Sequence, residues 1–476
     1  MAAVPQSTGA HEGAKEIVAA LIARARAAQA IFETYDQARV DEVVTAAGWA
    51  IIKPENNRLL AELAVRDTGL GNVADKLAKN ERKTMGLLRD LKGAKSVGVV
   101  AEHPELGIVE IARPVGVVAA ITPSTNPGAT PANKIINALK GRNAVILAPS
   151  PKGWSTGALL LDFVHAELDK IGAPRDLVQT LPSPVTKDTT YELMRRADLV
   201  VATGSQANVR AAYASGTPAV GVGLGNVAVI VDASAALADA AAKIRDSKCF
   251  DNATSCSSEN SVVIVEAVYA GMLAELGKAG GALLDLAEKE KLRAAMWPGG
   301  KLNPALMARP VPDILKIAGL TRPGLANAKF LMVEEEGIGG EFPFSGEKLS
   351  LVLTLYRVRD FGHAFDTVRE IYAHQGAGHS VGIHTRDDAH VMRLGLEMPA
   401  ARVIVNQAHA IANGGAFDNG LPFSLSMGCG TWGRNSISEN MNFRHYLNTT
   451  RIVRTIPART PSIGDIFGEY HAKHGR

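Results

Sequence analysis

The 476-residue chain is predicted to be an α/β protein built on mostly parallel, doubly wound sheets. Two observations support this prediction. Short runs such as VGVVAAI, NAVILAP and DLVVATG alternate with longer segments of helical periodicity. These runs are apolar almost throughout, which is typical of parallel strands that are buried on both faces.

The first quarter of the chain is predicted to be helical, because residues 13–93 are rich in Ala, Leu, Glu, Lys and Arg at helical spacing. SVGVV and GIVEIA follow as short β-branched runs joined by a turn with Pro104 and Gly107, which predicts a hairpin over residues 96–113. Beyond the hairpin, NKIINALKG and STGALLLDFVHAELDKIG are predicted helices between the apolar strands.

Three parts are predicted along the chain. Residues 1–231 contain the helices, the hairpin and a first α/β unit. Residues 232–420 continue the alternation of strands and helices as a second unit. Residues 421–476 form a tail that begins with glycine-rich turns.

The composition excludes several classes of protein. A formal net charge of +3 is too small to indicate a nucleic-acid or membrane partner. Three cysteines are too few for a disulfide framework, which favours a reducing compartment. No run approaches the roughly 20 apolar residues that a membrane helix needs, and charges interrupt the first apolar stretch, EIVAALIARARAAQAIF, unlike a signal peptide. We therefore expect a soluble, cytoplasmic protein.

Cys256 lies in the hydroxyl-rich stretch DNATSCSSEN and is the candidate for covalent chemistry. A nucleophilic cysteine needs a lowered pKa and donors for the charge that develops on its substrate. Ser255, Ser257 and the following main-chain amides offer polar support, but an isolated cysteine is also a common buried filler. The segment alone therefore leaves both interpretations open.

Five segments together resemble one known family. KCFDNATSCSSENSVVIV is similar to the cysteine segment of the CoA-acylating aldehyde dehydrogenases, and more closely to the aldehyde dehydrogenase half of the bifunctional aldehyde–alcohol dehydrogenases. Four further segments match in the same order, over roughly residues 13–455: TPSTNP with the following NKIINALKGRNAVILAPSP, VATGSQANVRAAYASGTPAVGVGLGN, SGEKLS and SMGCGTWGRNSISENMNFRHYLN.

The resemblance implies an aldehyde dehydrogenase-like fold. Residues 1–231 would form a Rossmann-like cofactor domain, and residues 232–420 an α/β catalytic domain that holds Cys256. The hairpin over residues 96–113 and the segment 421–476 would build a small oligomerisation element, in which an edge strand is covered by another subunit. A homodimer or homotetramer is therefore expected.

The resemblance also assigns the catalytic roles. Cys256 would attack the aldehyde carbon as a thiolate and, after hydride transfer to a nicotinamide, carry the product as a thioester. The side-chain amide of Asn126 and the N–H of Cys256 would stabilise the oxyanion, and one such donor is typically worth about 3 kcal/mol. His379, in GAGHS, would take a proton from the incoming thiol.

The same resemblance implies the cofactor-binding residues. Glu347, in EKLS, would accept hydrogen bonds from the nicotinamide ribose diol. Thr203 and Gly204 end a predicted strand before a helix, where main-chain N–H groups can meet a pyrophosphate. Ser150 and Lys152 follow the NAVILAP strand, where some hydrolytic relatives hold the adenosine ribose. The resemblance favours NAD, and NADP stays open because no carboxylate stands there to repel a 2′-phosphate.

CoA is predicted to be the co-substrate that accepts the acyl group. Hydrolytic aldehyde dehydrogenases activate water with a glutamate that follows the nicotinamide-side loop, but this chain has no Asp or Glu between Leu199 and Val231. Without a base, a thiol is a far better attacker than water. The 12 histidines show neither HExxH spacing nor a Cys/His cluster, so no metal is expected.

The aldehyde is predicted to be short, with a polar or anionic end. Relatives that take acetaldehyde commonly have apolar residues before the cysteine, whereas this chain has Thr254 and Ser255 there, followed by Ser257. His409 likewise stands where those relatives have a Thr-Pro-Ser pattern. Such donors suit an anion, so sulfoacetaldehyde is the expected substrate and acetaldehyde the alternative. If sulfoacetaldehyde is the substrate, the chain is expected to belong to the branch of the acylating sulfoacetaldehyde dehydrogenases.

Three other functions stay open from the sequence. A hydrolytic aldehyde dehydrogenase would release a free acid without CoA. An acyl-phosphate reductase, which has a related fold and a cysteine thioester, would depend on phosphate for turnover. A non-catalytic binding protein on the same fold would keep an inert Cys256.

Overall fold

The computed structural model describes residues 8–223 and 225–476; residues 1–7 and Leu224, which belong to the predicted first unit, lie outside the described residues. The helical first quarter is confirmed. Its helices are α1 (Thr8–Phe32), α2 (Gln37–Ile52), α3 (Pro54–Thr68) and α4 (Val73–Leu91). α3 ends at Gly69, whose φ of 65° is the left-handed cap that glycine adopts without strain. α4 begins after Asn72, whose side chain accepts a hydrogen bond from the Asp75 N–H.

The predicted hairpin is also confirmed. β1 (Gly98–His103) pairs antiparallel with β2 (Ile108–Pro114), and a single turn at residues 104–106 joins them. β1 is only partly buried and pairs with β2 alone among the described strands. One side of the hairpin is therefore an open sheet edge.

The first α/β unit contains the Rossmann-like sheet that the resemblance implies. Its elements are β3 (Val117–Thr122), α5 (Ala129–Lys140), β4 (Ala144–Pro149), α6 (Trp154–Lys170), β5 (Val178–Thr180), α7 (Lys187–Arg196), β6 (Leu199–Thr203), α8 (Gln206–Tyr213) and β7 (Ala219–Val222). All pairs are parallel, in the order β5-β4-β3-β6-β7. Every residue of β3 and β4 is buried, and α1 and α5 pack against β4, which explains why these strands are apolar throughout.

The second unit is a larger parallel sheet. Its elements are β8 (Val227–Val231), α9 (Leu237–Cys249), β9 (Glu259–Val265), α10 (Glu266–Lys278), β10 (Gly281–Leu283), α11 (Leu286–Met296), α12 (Val311–Ala318), β11 (Phe330–Glu334), β12 (Val352–Val358), α13 (Phe361–His374), β13 (Val381–His384), α14 (Asp388–Glu397), β14 (Val403–Val405) and α15 (His409–Ala412). The strand order is β10-β11-β12-β9-β8-β13-β14.

One strand falls in a different sheet from the one expected. The boundary between the units was predicted at residue 231, but β8 pairs in parallel with β9 and β13 of the second sheet. The chain therefore changes sheets between Val222 and Val227. The reason is that an apolar strand pairs equally well in either sheet, so its own composition does not tell which one it joins.

The C-terminal segment returns to the hairpin. β15 (Leu447–Val453) pairs antiparallel with β2, which gives a three-stranded sheet of order β1-β2-β15, and α16 (Ile463–His474) follows it. Most of β15 is exposed. No helix within residues 8–223 and 225–476 is long and apolar enough to cross a bilayer.

Candidate active site

A cleft of about 410 Å³ opens at the carboxyl ends of the first parallel sheet. Thr122 at the end of β3 and Thr203 at the end of β6 belong to its wall, and the loops before β9 and β12 complete it. This edge of a parallel sheet is where α/β proteins usually bind ligands. The predicted site residues that line the cleft are Asn126, Ser150, Thr203, Gly204, Thr254, Ser255, Cys256 and Glu347.

The loop that carries Cys256 has an unusual backbone. It starts where α9 ends, at Cys249. Asp251, Asn252 and Ala253 then adopt φ angles of 51°, 51° and 61°. Residues other than glycine rarely occupy this left-handed region, and each such residue costs about 1–3 kcal/mol. Contacts from the rest of the molecule must therefore hold the loop in place.

The Asp251 carboxylate holds this loop against α4. It is fully buried and accepts hydrogen bonds from Lys79 Nζ at 2.5 Å and Lys76 Nζ at 3.0 Å. Thr254 Oγ1 donates a third, at 2.7 Å. Burial would raise the pKa of Asp251, but the charges of Lys79 and Lys76 outweigh that effect and lower the pKa below its usual value. A buried cluster of ion pairs thus fixes the loop.

The same cluster orients the predicted oxyanion donor. Lys79 Nζ donates a hydrogen bond of 2.7 Å to Asn126 Oδ1. An ammonium group can only donate, so the oxygen of the Asn126 amide must face it. The amide NH₂ group is therefore directed away from Lys79, and Asn126 lies on the wall of the cleft. This geometry makes Lys79 a positioning residue for Asn126.

Replacing Lys79 by methionine is expected to lower kcat roughly 10- to 100-fold, because the Asn126 amide loses the contact that sets its orientation. Asn126→Ala should lower kcat about 10²- to 10³-fold, and the double variant should be no worse than Asn126→Ala alone, as for residues that act as a unit. Steady-state kinetics on the three variants measures this coupling.

Lys76→Met is the matched control for Lys79→Met. Lys76 also pairs with Asp251, but its other contact is the main-chain oxygen of Thr125 and not the Asn126 side chain. The Lys76→Met substitution should lower the melting temperature of the protein, while kcat stays within about threefold of the native value. Independent, multiplying losses in the Lys79→Met/Asn126→Ala double variant would contradict the positioning role.

The electrostatics of the cleft keep the Cys256 thiol protonated. Burial, followed by the nearby Glu347 carboxyl, raises the pKa of Cys256 to about 12. Burial likewise raises the pKa of Glu347 to about 8, against a smaller opposing effect of the Gly225 N–H. The Cys256 thiol therefore holds its proton at neutral pH, and that proton must leave before the thiolate can attack. Among the described residues that line the cleft, only Glu347 carries a carboxylate.

The part of the cleft formed by Thr203 and Gly204 has groups that fit a dinucleotide. β6 ends at Thr203 and α8 begins at Gln206, so the strand and helix expected on either side of Gly204 are present. Gly204 has a φ of 143°, a conformation that glycine adopts far more readily than other residues. Thr203 Oγ1 lies 2.8 Å from Ser426 Oγ, which ties this corner to the C-terminal segment. Main-chain N–H groups here suit phosphate oxygens, and the Glu347 carboxyl suits a ribose diol.

Two predicted site residues turn away from the cleft. Ser257 is buried, and its Oγ accepts a hydrogen bond of 2.9 Å from Asn413 Nδ2. It lies in a turn closed by the hydrogen bond from the Ser258 N–H to the Ser255 oxygen, which directs its side chain inward. Lys152 is exposed on the single turn after β4. Neither is among the described residues that line the cleft.

The two predicted histidines lie together in the interior. His379 Nδ1 and His409 Nε2 each lie 2.8 Å from Ser380 Oγ, and both rings are buried. Burial, reinforced by the positive charge of Arg402, lowers the pKa of His409 to about 3 and that of His379 well below its usual value. Both rings are neutral at physiological pH. Neither is among the described residues of the cleft wall, so the roles predicted for them stay predictions.

Basic residues of α4 form a feature that the sequence does not single out. Lys79, Arg82 and Lys83 line a small cavity of about 30 Å³, which shares Asn126 and Ser255 with the larger cleft. The signal for it is the segment KLAKNERK, whose basic residues recur at helical spacing. A charged helix face is usually solvated, which is why the pattern alone does not indicate a site.

Two parallel α/β units, with a cysteine loop facing a cleft suited to a dinucleotide, define a cysteine-dependent dehydrogenase. The chain belongs to the aldehyde dehydrogenase family, whose family model matches residues 6–285. This confirms the family and the fold class that the resemblance implies.

Relatives and a solved structure agree with this membership. The chain is 61% identical to the acylating sulfoacetaldehyde dehydrogenase of Cupriavidus necator, over 98% of this chain and 94% of that protein. It is 44% identical to the acylating sulfoacetaldehyde dehydrogenase of Bilophila wadsworthia, over 95% of this chain and 98% of that protein. The crystal structure of an acetylating aldehyde dehydrogenase from Geobacillus thermoglucosidasius matches with a TM-score of 0.91 and 34% identity, and covers 96% of this chain and 100% of its own.

Proposed function

We propose that the protein oxidises sulfoacetaldehyde to its CoA thioester. The aldehyde, CoA and NAD(P)⁺ give the acyl-CoA, NAD(P)H and one proton. The observation that carries this proposal is the cleft in which Cys256 lies with Asn126 and in which Glu347 is the only carboxylate among the described wall residues. The sulfoacetaldehyde dehydrogenases that resemble this chain over nearly its full length support the choice of substrate.

Cys256 and Asn126 carry out the first step. The Cys256 thiolate forms a bond to the aldehyde carbon, and the carbonyl electron pair moves onto the oxygen. The Asn126 NH₂ group, aimed by Lys79, donates to that oxyanion, and the N–H of Cys256 is the second donor. When the oxyanion reforms its double bond, the hydrogen on that carbon leaves as a hydride and the acyl group remains on Sγ as a thioester.

The residues of the cleft fit a nicotinamide dinucleotide, which when bound supplies the hydride acceptor. Glu347 would hold the ribose hydroxyls next to it, and the main chain at Thr203 and Gly204 would hold the phosphates. Ser150 lines the cleft where β4 ends, whereas Lys152 is exposed beyond it. Neither residue is acidic, so this corner accommodates NAD or NADP, and we propose NAD as the physiological cofactor.

CoA completes the reaction. Its thiol gives up its proton to solvent, which is the one proton of the overall equation, its sulfur bonds to the thioester carbon, and Cys256 leaves as the thiolate. Water would need a base, and the stretch from Leu199 to Val231 contains no Asp or Glu. The Glu347 carboxyl is the one acid among the described wall residues, and this proposal assigns it to the ribose hydroxyls of the dinucleotide, so it is not free to activate water. This favours acylation over the hydrolytic alternative.

A panel of aldehydes assayed with CoA and with each dinucleotide tests the proposal. We expect kcat/KM for sulfoacetaldehyde to exceed that for acetaldehyde and propanal by at least about tenfold, because an anionic end adds charge-assisted hydrogen bonds worth about 1.5–3 kcal/mol. The readouts are the absorbance of the reduced cofactor and the mass of the CoA product. A preference for propanal would overturn sulfoacetaldehyde as the substrate and leave acetaldehyde or a longer aldehyde.

We further propose a cytoplasmic homodimer or homotetramer that assembles through the β1-β2-β15 sheet. β1 leaves an open edge, and Val99, Ile452 and Val453 expose 42%, 42% and 70% of their surfaces on this sheet. A second copy would cover that edge and those apolar side chains. Light scattering on the purified protein gives the mass in solution, and a monomer at micromolar concentration would contradict the assembly.

A further inference from the structure

The small cavity beside the cleft contains more positive charge than the protein neutralises. α4 directs Lys76, Lys79, Arg82 and Lys83 toward the interior side of the helix, and Asp251 pairs with the first two. The hydrogen bonds of the other two go to main-chain oxygens. Arg82 donates to the oxygens of residues 411 and 415, and Lys83 to those of residues 414 and 415. Carbonyl oxygens carry no full charge, so Arg82 and Lys83 remain uncompensated by them.

Buried cations without a counter-ion are costly. Burial, with Arg82 and Lys79 nearby, lowers the pKa of Lys83 well below its usual value. Burial also lowers the pKa of Arg82, and the more distant Asp418 opposes this only in part. An anion placed between these two groups would remove the cost, since charge-assisted hydrogen bonds to Arg and Lys are among the strongest in proteins. The cavity therefore has the electrostatics of an anion site.

The position of the cavity relates it to the reaction. Asn126, Ser255 and Leu425 line both the cavity and the cleft. Ser255 directly precedes the nucleophile Cys256, and Asn126 is the proposed oxyanion donor. An aldehyde whose carbon meets Cys256 and whose oxygen meets Asn126 therefore has the basic cavity next to its substituent.

The size of the cavity limits what that substituent can be. Its volume is about 30 Å³, whereas one water needs about 10–15 Å³ on the same measure. There is room for a compact head group and none for a long chain. A sulfonate that a single methylene separates from the aldehyde carbon has this form.

We propose that Arg82 and Lys83 of α4 form the subsite that binds the sulfonate of the substrate, with Ser255 as an additional donor. This inference rests on the proposed function and names the groups that set its specificity. It replaces Ser257 and His409, which the sequence suggests for this role and which the structure directs elsewhere. Arg82 retains guanidinium N–H groups beyond the one nitrogen that contacts the main chain, and these can meet sulfonate oxygens.

The test is the ratio of kcat/KM for sulfoacetaldehyde to kcat/KM for propanal in Arg82→Gln and Lys83→Met. Each variant should lower this ratio roughly 10- to 100-fold, as expected for losing one charge-assisted contact, and Arg82→Lys should recover part of it. Lys92→Gln is the matched control, because it removes one positive charge at the exposed C-terminal cap of α4. The control should keep the native ratio.

A second measurement separates this inference from the proposed function. Ethanesulfonate cannot react, and it should inhibit propanal oxidation competitively, with an inhibition constant at least about tenfold weaker in Arg82→Gln than in Lys92→Gln. This comparison reports the anion site whichever aldehyde is preferred. A native preference for sulfoacetaldehyde that survives in Arg82→Gln and Lys83→Met would overturn the subsite and leave the proposed function standing. If Arg82→Gln fails to fold, Lys83→Met decides by the same two readouts, and native values in both would overturn the subsite.

Discussion

Cys256→Ala is expected to abolish formation of the CoA thioester, lowering kcat by at least about 10⁴-fold, because no other atom can carry the acyl group. Of the three cysteines, all of which are free, Cys256 is the one that lines the cleft among the described residues. Alanine removes one sulfur and leaves the main chain of the strained loop unchanged. The protein should therefore still fold, with a melting temperature within a few degrees of the native value. Acyl-CoA formation followed by mass spectrometry measures the loss.

The other two cysteines provide the controls. Cys249 contacts the main-chain oxygen of Lys329, and Cys429 contacts that of Met427. Burial raises the pKa of each thiol to about 11, as it also raises that of Cys256, but neither Cys249 nor Cys429 is among the described residues that line the cleft. Cys249→Ala and Cys429→Ala should retain activity. Near-normal turnover by Cys256→Ala would end the covalent mechanism.

Omitting CoA is expected to reduce steady-state turnover at least about 100-fold after a single burst of reduced cofactor, one per active site. The acyl group reaches Cys256 without CoA, because the first half-reaction needs only the aldehyde and the dinucleotide. It then stays there, because the stretch from Leu199 to Val231 has no Asp or Glu to activate water, and Glu347, the one acid among the described wall residues, is assigned to the ribose. Stopped-flow absorbance of the reduced cofactor resolves the burst from the slow phase.

The same experiment contains its own control. Adding CoA after the burst should release the acyl group as acyl-CoA and restore the steady rate. Intact-protein mass spectrometry before that addition should show the acyl mass on the peptide that contains Cys256. Sustained production of free acid without CoA would instead establish the hydrolytic alternative.

The alternation of strands and helices could be predicted because it is encoded locally. VGVVAAI and NAVILAP are apolar throughout since β3 and β4 are buried on both faces, and that requirement is visible in a few consecutive residues. The sheet to which β8 belongs is decided by its neighbours β9 and β13, which are distant in sequence. The positions of the strands along the sequence could therefore be predicted, whereas their pairing partners could not.

The same distinction applies to the candidate site. Asn126, Cys256 and Glu347 could be singled out by their motifs, and the structure brings them to one cleft. The direction of each side chain in the loop after Cys249 could not be predicted from the sequence. Three successive left-handed residues turn the backbone there in a way that neither helical nor strand periodicity describes. Arg82 could not be singled out as a site residue, because its place on the cavity wall depends on which face of α4 is buried.

The C-terminal segment has a consequence for how the protein is made. Leu425 and Met427 line the cleft, Ser426 contacts Thr203, and β15 completes the sheet begun by β2. On a translating ribosome, the strands of both parallel sheets emerge before these residues do. A nascent chain that has already formed both α/β units still has an unfinished cleft, since contacts between distant parts of a sequence form late. A dinucleotide bound in the cleft therefore stabilises the fold only once residues 425–427 are in place.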